Sequence, residues 1–305
     1  MPDHGQLLIG MGGYSYGDWV GLIYPRGTKP QDYLPEYARY FRFVELNFTY
    51  YQMPTAKTMA NMLERAPGLR FAVKANNRMT HMRDAGGAEF AEYRAGIAPL
   101  LESGALVACL LQFPHSFHHN ARNRGWIKHL RHGLDGLPLV AEFRSAEWVR
   151  NDVATFLSGL DIGWCAVDEP RLPELMPPVA AVTGAVSYLR FHGRNAACWW
   201  EHEEAWERHD YLYSVGELSE WIPKLERMVQ QSQVTAVVFN NTCWGQGIEN
   251  AQMLLDLLPS HLKAHAVAVD RPPKRIETRE SRPLAIARHR AKRAAAAAKQ
   301  QPPHE

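Results

Sequence analysis

Eight short apolar runs recur along the chain, and most of them close on a charged or amide residue. They span Leu7–Met11, Phe43–Asn47, Arg70–Lys74, Leu106–Gln112, Pro138–Phe143, Gly163–Val167, Ser187–His192 and Thr235–Asn240. Each is short for a helix and too continuously apolar for a sheet with one wet face. The pattern therefore predicts parallel strands covered on both sides. Helical spacing fills the intervals at Asp32–Tyr40, Pro54–Arg65, Ala88–Ser103, Arg122–His132, Asn151–Leu160, Val215–Val229 and Ile248–Leu258. One interval breaks the rule. Asp168–Gly184 carries Pro170, Pro173, Pro177 and Pro178, so the sixth helix is reduced to a turn. Pro223 predicts an irregularity in the helix that contains it. Eight strand–helix units over about 260 residues match an α/β fold of the TIM type, a closed (β/α)8 barrel. An open doubly wound sheet is the alternative, but Gly10-Met11-Gly12-Gly13 lacks the glycine spacing of a dinucleotide-binding loop.

Charge divides the chain. After Asp270 there are ten Lys/Arg against three Glu, which leaves 24 basic against 29 acidic residues in 1–270. Residues 1–270 are thus expected to form a mildly acidic barrel domain, and 271–305 a mobile, basic, Ala-rich C-terminal tail. General attraction to nucleic acid would have to come from that tail. Cys109, Cys165, Cys198 and Cys243 are scattered with no CxxC, which suits reduced thiols. The first residues lack the basic start and apolar run of a signal peptide, and no stretch suits a membrane span. A cytoplasmic protein is expected.

In a barrel of this kind the chemistry lies where strands run into the following loops. Tyr188–Arg194 is the richest such end: alternation sends Arg190, His192 and Arg194 to one face, and two arginines around a histidine suit a phosphate or carboxylate. The other ends add Glu45, Asn47, Lys74, Gln112, Glu142, Arg144, Asp168 and Asn240. Isolated buried charges are costly, so their convergence implies a hydrated, mutually neutralising pocket with a slight positive excess. Glu142, Glu45 and His192 are the proton-transfer candidates. Lys74, Arg144, Arg190 and Arg194 are expected to hold an anion, with Asn47, Gln112, Asp168 and Asn240 completing the contacts. Lys74 would form a Schiff base only with a depressed pKa, and an anion clamp is the favoured role. Tyr16 and Trp19, in the first loop, are candidates to stack on a sugar or base. Glu45, Glu142, Asp168 and His192 form a conceivable metal set, but no HxH or HExxH spacing supports it, and His115, His118 and His119 have no acid nearby in sequence. No metal and no cofactor are expected.

A family resemblance rests on ten blocks in order. They are Gly13–Trp19 with Tyr24 and Pro25, Val44–Tyr51 with Pro54, Phe71–Lys74, Thr80 with His81, Leu111–Pro114, Glu142–Arg144 with Trp148, Val167–Pro170, Tyr188–Arg194, Tyr211–Tyr213 with Glu217 and Leu218, and Phe239–Asn241. Over residues 8–258 they resemble the domain-of-unknown-function 72 family, also called YecE-like. The resemblance implies a TIM-type barrel and supplies no reaction. Gly10–Gly13 ahead of Tyr14 and Ser15 departs from the family's usual Gly-Thr/Cys-Ser-Gly-Trp pattern.

Barrels of this type commonly host enzymes. The first expectation is a hydrolase or lyase acting on a phosphorylated or otherwise anionic small molecule or nucleotide. The alternatives are nucleic-acid phosphodiester processing, with the basic tail as an auxiliary grip, and a non-catalytic barrel that binds an anionic ligand.

Overall fold

The computed structural model describes residues 5–267. The expected basic tail, 271–305, lies outside the described residues.

Eight parallel strands pair in chain order and close on themselves: β1 Gln6–Gly12, β2 Phe43–Leu46, β3 Arg70–Lys74, β4 Leu106–Gln112, β5 Leu139–Glu142, β6 Ile162–Asp168, β7 Val186–Phe191 and β8 Val234–Phe239. Six consecutive rungs, Gln6↔Val234 through Met11↔Phe239, join the last strand to the first. The barrel is therefore closed, and the doubly wound alternative is excluded. Strands β3 and β4 coincide with their apolar runs. The other ends differ by one residue because the hydrogen-bond ladder, not hydropathy, sets where a strand begins.

The helices are α1 Tyr33–Tyr40, α2 Ala56–Arg65, α3 Gly87–Glu102, α4 Ala121–Gly133, α5 Asn151–Ser158, α6 Val215–Ser219, α7 Ile222–Gln231, α8 Gln246–Leu257 and α9 Ser260–Lys263. Local chemistry fixes several starts. Thr55 accepts from the Thr58 amide at α2, Asn120 from the Asn123 amide at α4, and Ser214 with Glu217 forms a capping box at α6. The proline-rich segment between β6 and β7 holds no helix, as its composition requires. Pro223 does more than kink a helix. It sits in the first turn of α7, so the single helix expected over Val215–Val229 is two. A short π-helical turn at Arg78–Met82, which apolar periodicity does not signal, follows β3. The segment after α9 makes one parallel bridge, Ala266 to Leu7.

Parallel partners present their side chains to the same face, so the register identifies the barrel interior. Tyr188 lies beside Cys165 and Ala236, and Arg190 beside Val167 and Val238, with Gly10 next in line across β1. Small neighbours leave room for two large inward side chains. Cys109 and Cys165 are buried, and all four cysteines are free. Among the described residues no helix is long and apolar enough to cross a membrane.

Candidate functional site

Arg190 lies at the centre of the mouth, only 2% exposed. Its Nη1 is 2.7 Å from Glu142 Oε2 and its Nη2 is 2.7 Å from Glu45 Oε1, so one guanidinium ties β7 to β5 and β2. The Tyr188 hydroxyl donates to the other oxygen of Glu45 at 2.9 Å. Burial opposes the charge on Arg190, but Glu142 and Glu45 outweigh it and hold the guanidinium above its ordinary pKa. Burial likewise pushes the Glu142 carboxyl up, yet Arg144, Arg190 and His192 together hold it well below the usual carboxylate range. Arg144 Nε stands 2.7 Å from Glu142 Oε1.

His192 is sealed under the same cluster. Burial, then Arg144 and Arg190, drive its pKa well below the ordinary value, so the ring is neutral. Its Nε2 is 3.2 Å from Glu142 Oε1 and its Nδ1 is 3.3 Å from Asn240 Nδ2. These contacts assign the proton to Nε2, which donates to Glu142, while Nδ1 accepts from Asn240. The Asn240 carbonyl oxygen accepts from Arg190 at 3.3 Å, and the same amide reaches His209 Nε2 at 3.5 Å. His209 Nδ1 donates to the His192 carbonyl at 2.7 Å, and burial pushes this second ring down to about 3. Two neutral imidazoles therefore share one amide.

Glu45, Glu142 and His192, the expected proton carriers, are each 0% exposed and fully engaged. The expected hydrated pocket thus has a dry floor. The groups open to the mouth lie one level higher: Asn47, Lys74, Gln112, Arg144 and Asn240 are all partly exposed. Lys74 Nζ rests 4.6 Å from the centre of the Tyr50 ring. Burial and then Arg190 lower its pKa to about 8, against the opposing pull of Glu142 and Glu45. His81, 4.9 Å from the Tyr50 ring, is pushed down to about 4 by burial, Lys74 and Arg144. Gln112 donates to the Phe113 carbonyl at 3.2 Å, and Asn47 Oδ1 is buried with no hydrogen-bond partner.

Four expected site residues are engaged elsewhere. Strand β6 turns Cys165 inward, with Sγ 3.9 Å from Glu142 Oε2, so Asp168 points outward to the helices. There its carboxylate accepts from Trp221 Nε1 at 2.7 Å and the Tyr213 hydroxyl at 2.9 Å. Arg194 joins it. Gly193 takes a φ of 92°, which breaks the alternation after His192 and sends Arg194 away from the mouth. Its guanidinium meets Asp168 at 2.7 Å and Glu220 at 2.9 Å. Trp19 is fully buried and donates to the Thr242 carbonyl at 3.0 Å, packing the first loop against the last. Tyr16 lies on Trp19 with ring centres 4.6 Å apart, and its hydroxyl is spent on the Gly12 carbonyl.

Other groups enter that sequence reasoning missed. Glu169, not Asp168, faces the site: Oε2 accepts from Arg144 Nη1 at 3.0 Å and Oε1 from the Met176 amide at 3.0 Å. Burial pushes its carboxyl up to about 7 despite Arg144. Counting two residues on from Val167 would have found it. His209 arrives on the long loop after β7, where no periodicity marks it. In the histidine-rich loop, His118 pairs with exposed Glu147 and His115 packs against Trp200. Among the described residues no group of three or more His, Cys, Asp or Glu is arranged to hold a metal ion.

The family described as "Protein of unknown function DUF72" matches residues 8–276. The chain is 30% identical over 272 residues to the UPF0759 protein YunF of Bacillus subtilis strain 168, covering 83% of this chain and 95% of the relative. It is similar to a solved DUF72 family protein of Thermotoga maritima MSB8, with a TM-score of 0.76 and 35% identity over 83% of this chain and 98% of that one. A second solved DUF72 protein, from Enterococcus faecalis V583, gives a TM-score of 0.75 at 26% identity over 89% of this chain and 100% of that one. With the barrel, the ordered blocks and the match agreeing over the same residues, the chain belongs to the DUF72 family.

Proposed function

We propose that this protein is an enzyme, a lyase or hydrolase, that takes an anionic small molecule at the mouth of the barrel. One observation carries the reading: Lys74 and Arg144 open to the mouth above two carboxylates, Glu45 and Glu142, that are already engaged by Arg190. Lys74, Arg144 and Arg190 oppose Glu45 and Glu142, and Glu169 titrates near neutrality. The site carries a positive excess that an anionic ligand would neutralise. Asn240, Gln112 and Asn47 add amide contacts around it.

In this reading Glu45 and Glu142 are counter-ions that hold Arg190 and Arg144 in place. Proton transfer falls to Lys74, which is open to the mouth and whose proton moves near neutral pH. Calorimetric titration with inorganic phosphate and with glycolaldehyde phosphate tests the binding step. Both should bind, and Arg144→Ala should weaken them about ten- to a hundredfold, the worth of a charged hydrogen bond. Absence of binding, or equal affinity in the variant, would remove the anion site.

A further inference from the structure

Lys74 is the one cation of the inner cluster whose charge is removable. Arg144 and Arg190 are guanidinium groups, which stay protonated in proteins, whereas an ammonium can give up its proton. The carboxylates that would hold Lys74 protonated are taken. Glu45 and Glu142 pair with Arg190, and Glu142 and Glu169 pair with Arg144. What remains for Nζ is the face of Tyr50 at 4.6 Å. Lys74 stands at the last residue of β3, on the inward face shared by Ala72 and its register partner Glu45, and it is partly exposed to the mouth. Its carbonyl is fixed by the Thr49 hydroxyl at 2.6 Å, so the side chain leaves from a rigid point.

We propose that Lys74 is the nucleophile of this site and forms an imine with the carbonyl carbon of an anionic aldehyde or ketone. The proposal rests on the anion-binding reading above, with Arg144 holding the anionic end. The free amine adds to the carbonyl carbon, making the C–N bond and opening the C=O π bond. The carbonyl oxygen then leaves as water with both amine protons, and the C=N bond forms without oxidant or reductant. Protonated, that imine withdraws electrons from the adjacent carbon and so favours breaking a C–H or C–C bond there. The substrate class becomes a short phosphorylated or carboxylated carbonyl compound. The lowered pKa of Lys74, about 8, places a useful fraction of free amine at neutral pH.

Borohydride trapping tests this on the full-length protein, with glycolaldehyde phosphate and glycolaldehyde as a matched pair of probes and peptide mapping as the readout. The reduced adduct of the phosphate probe should form at Lys74 about tenfold or more faster than at exposed Lys57, because the lowered pKa of Lys74 frees its amine near neutral pH and Arg144 holds the phosphate beside it. It should vanish from that position in Lys74→Arg and fall sharply in Arg144→Ala. Adducts spread over the lysines, with Lys74 no faster than Lys57, would overturn the proposal in the wild-type protein itself. The two readings separate cleanly. Calorimetric binding of the phosphate probe without trapping at Lys74 would leave the anion site standing and end the imine. Equal trapping of both probes at Lys74 would keep the imine and end the role of the anion.

Discussion

Arg190 Nη1 lies 2.7 Å from Glu142 Oε2, and both side chains are sealed from solvent in the barrel. With Glu45 on its other nitrogen, this arginine is the counter-ion of two dry carboxylates. Breaking a buried pair from one side costs about 3–5 kcal/mol, because the remaining charge stays buried. Arg190→Met should therefore lower the urea midpoint severely or yield little folded protein. Glu142→Gln, which keeps an acceptor for Arg190, should cost less. Near-wild-type midpoints for both would show that the cluster does not hold the barrel together.

Arg194 should behave differently although it is only four residues away. Its partners Asp168 and Glu220 lie between β6 and the outer helices. Asp168 would keep its bonds from Trp221 and Tyr213, so Arg194→Ala should cost about 1–3 kcal/mol in unfolding experiments. Its affinity for inorganic phosphate should not change. A loss as large as that of Arg144→Ala would mean that Arg194 serves the mouth after all.

The contrast marks what a sequence can and cannot disclose. Hydropathy and alternation located all eight strands, and through them Glu45, Lys74, Glu142, Arg190 and His192 on one surface. Alternation persists only while the backbone stays extended. At Gly193 it stops, and Arg194 departs. A one-residue error of phase moves a side chain to the other face, which is why Asp168 was expected where Glu169 stands. Exposure is a property of packing rather than order. Nothing in the spacing of Glu45, Glu142 and His192 says that Arg190 and Asn240 close over them. Trp19 had the composition of a stacking residue and the environment of a core one.

Gly12 supplies a test of how tightly the mouth is built. A methyl group there would lie 2.4 Å from Asn240 Oδ1, the atom that accepts from Arg190. The Asn240 amide must move for alanine to fit, and both histidines hang on that amide. Gly12→Ala should destabilise the protein by about 1–3 kcal/mol, the usual range for overpacking. It should also shift the imidazole resonances of His192 and His209 in a proton–nitrogen spectrum. An unaltered spectrum would show that Asn240 does not position them.

Lys74 and Glu169 should give stability opposite slopes with pH. For Lys74 the folded pKa is about 8 and the ordinary value 10.5, so between them the unfolded chain binds more protons. Its contribution is present above 10.5 and lost as pH falls through about 8. For Glu169 the folded pKa is about 7 and the ordinary value 4.5, so the folded chain binds more protons between them. That contribution is present below 4.5 and lost as pH rises through about 7. Across both windows the urea midpoint of wild type relative to Glu169→Gln should therefore fall from pH 4.5 to about 7, and that of wild type relative to Lys74→Met should rise from about 8 to 10.5. If the curve of Lys74→Met runs parallel to wild type above pH 8, the amine is an ordinary one, and its role at the mouth reverts to that of a simple positive charge.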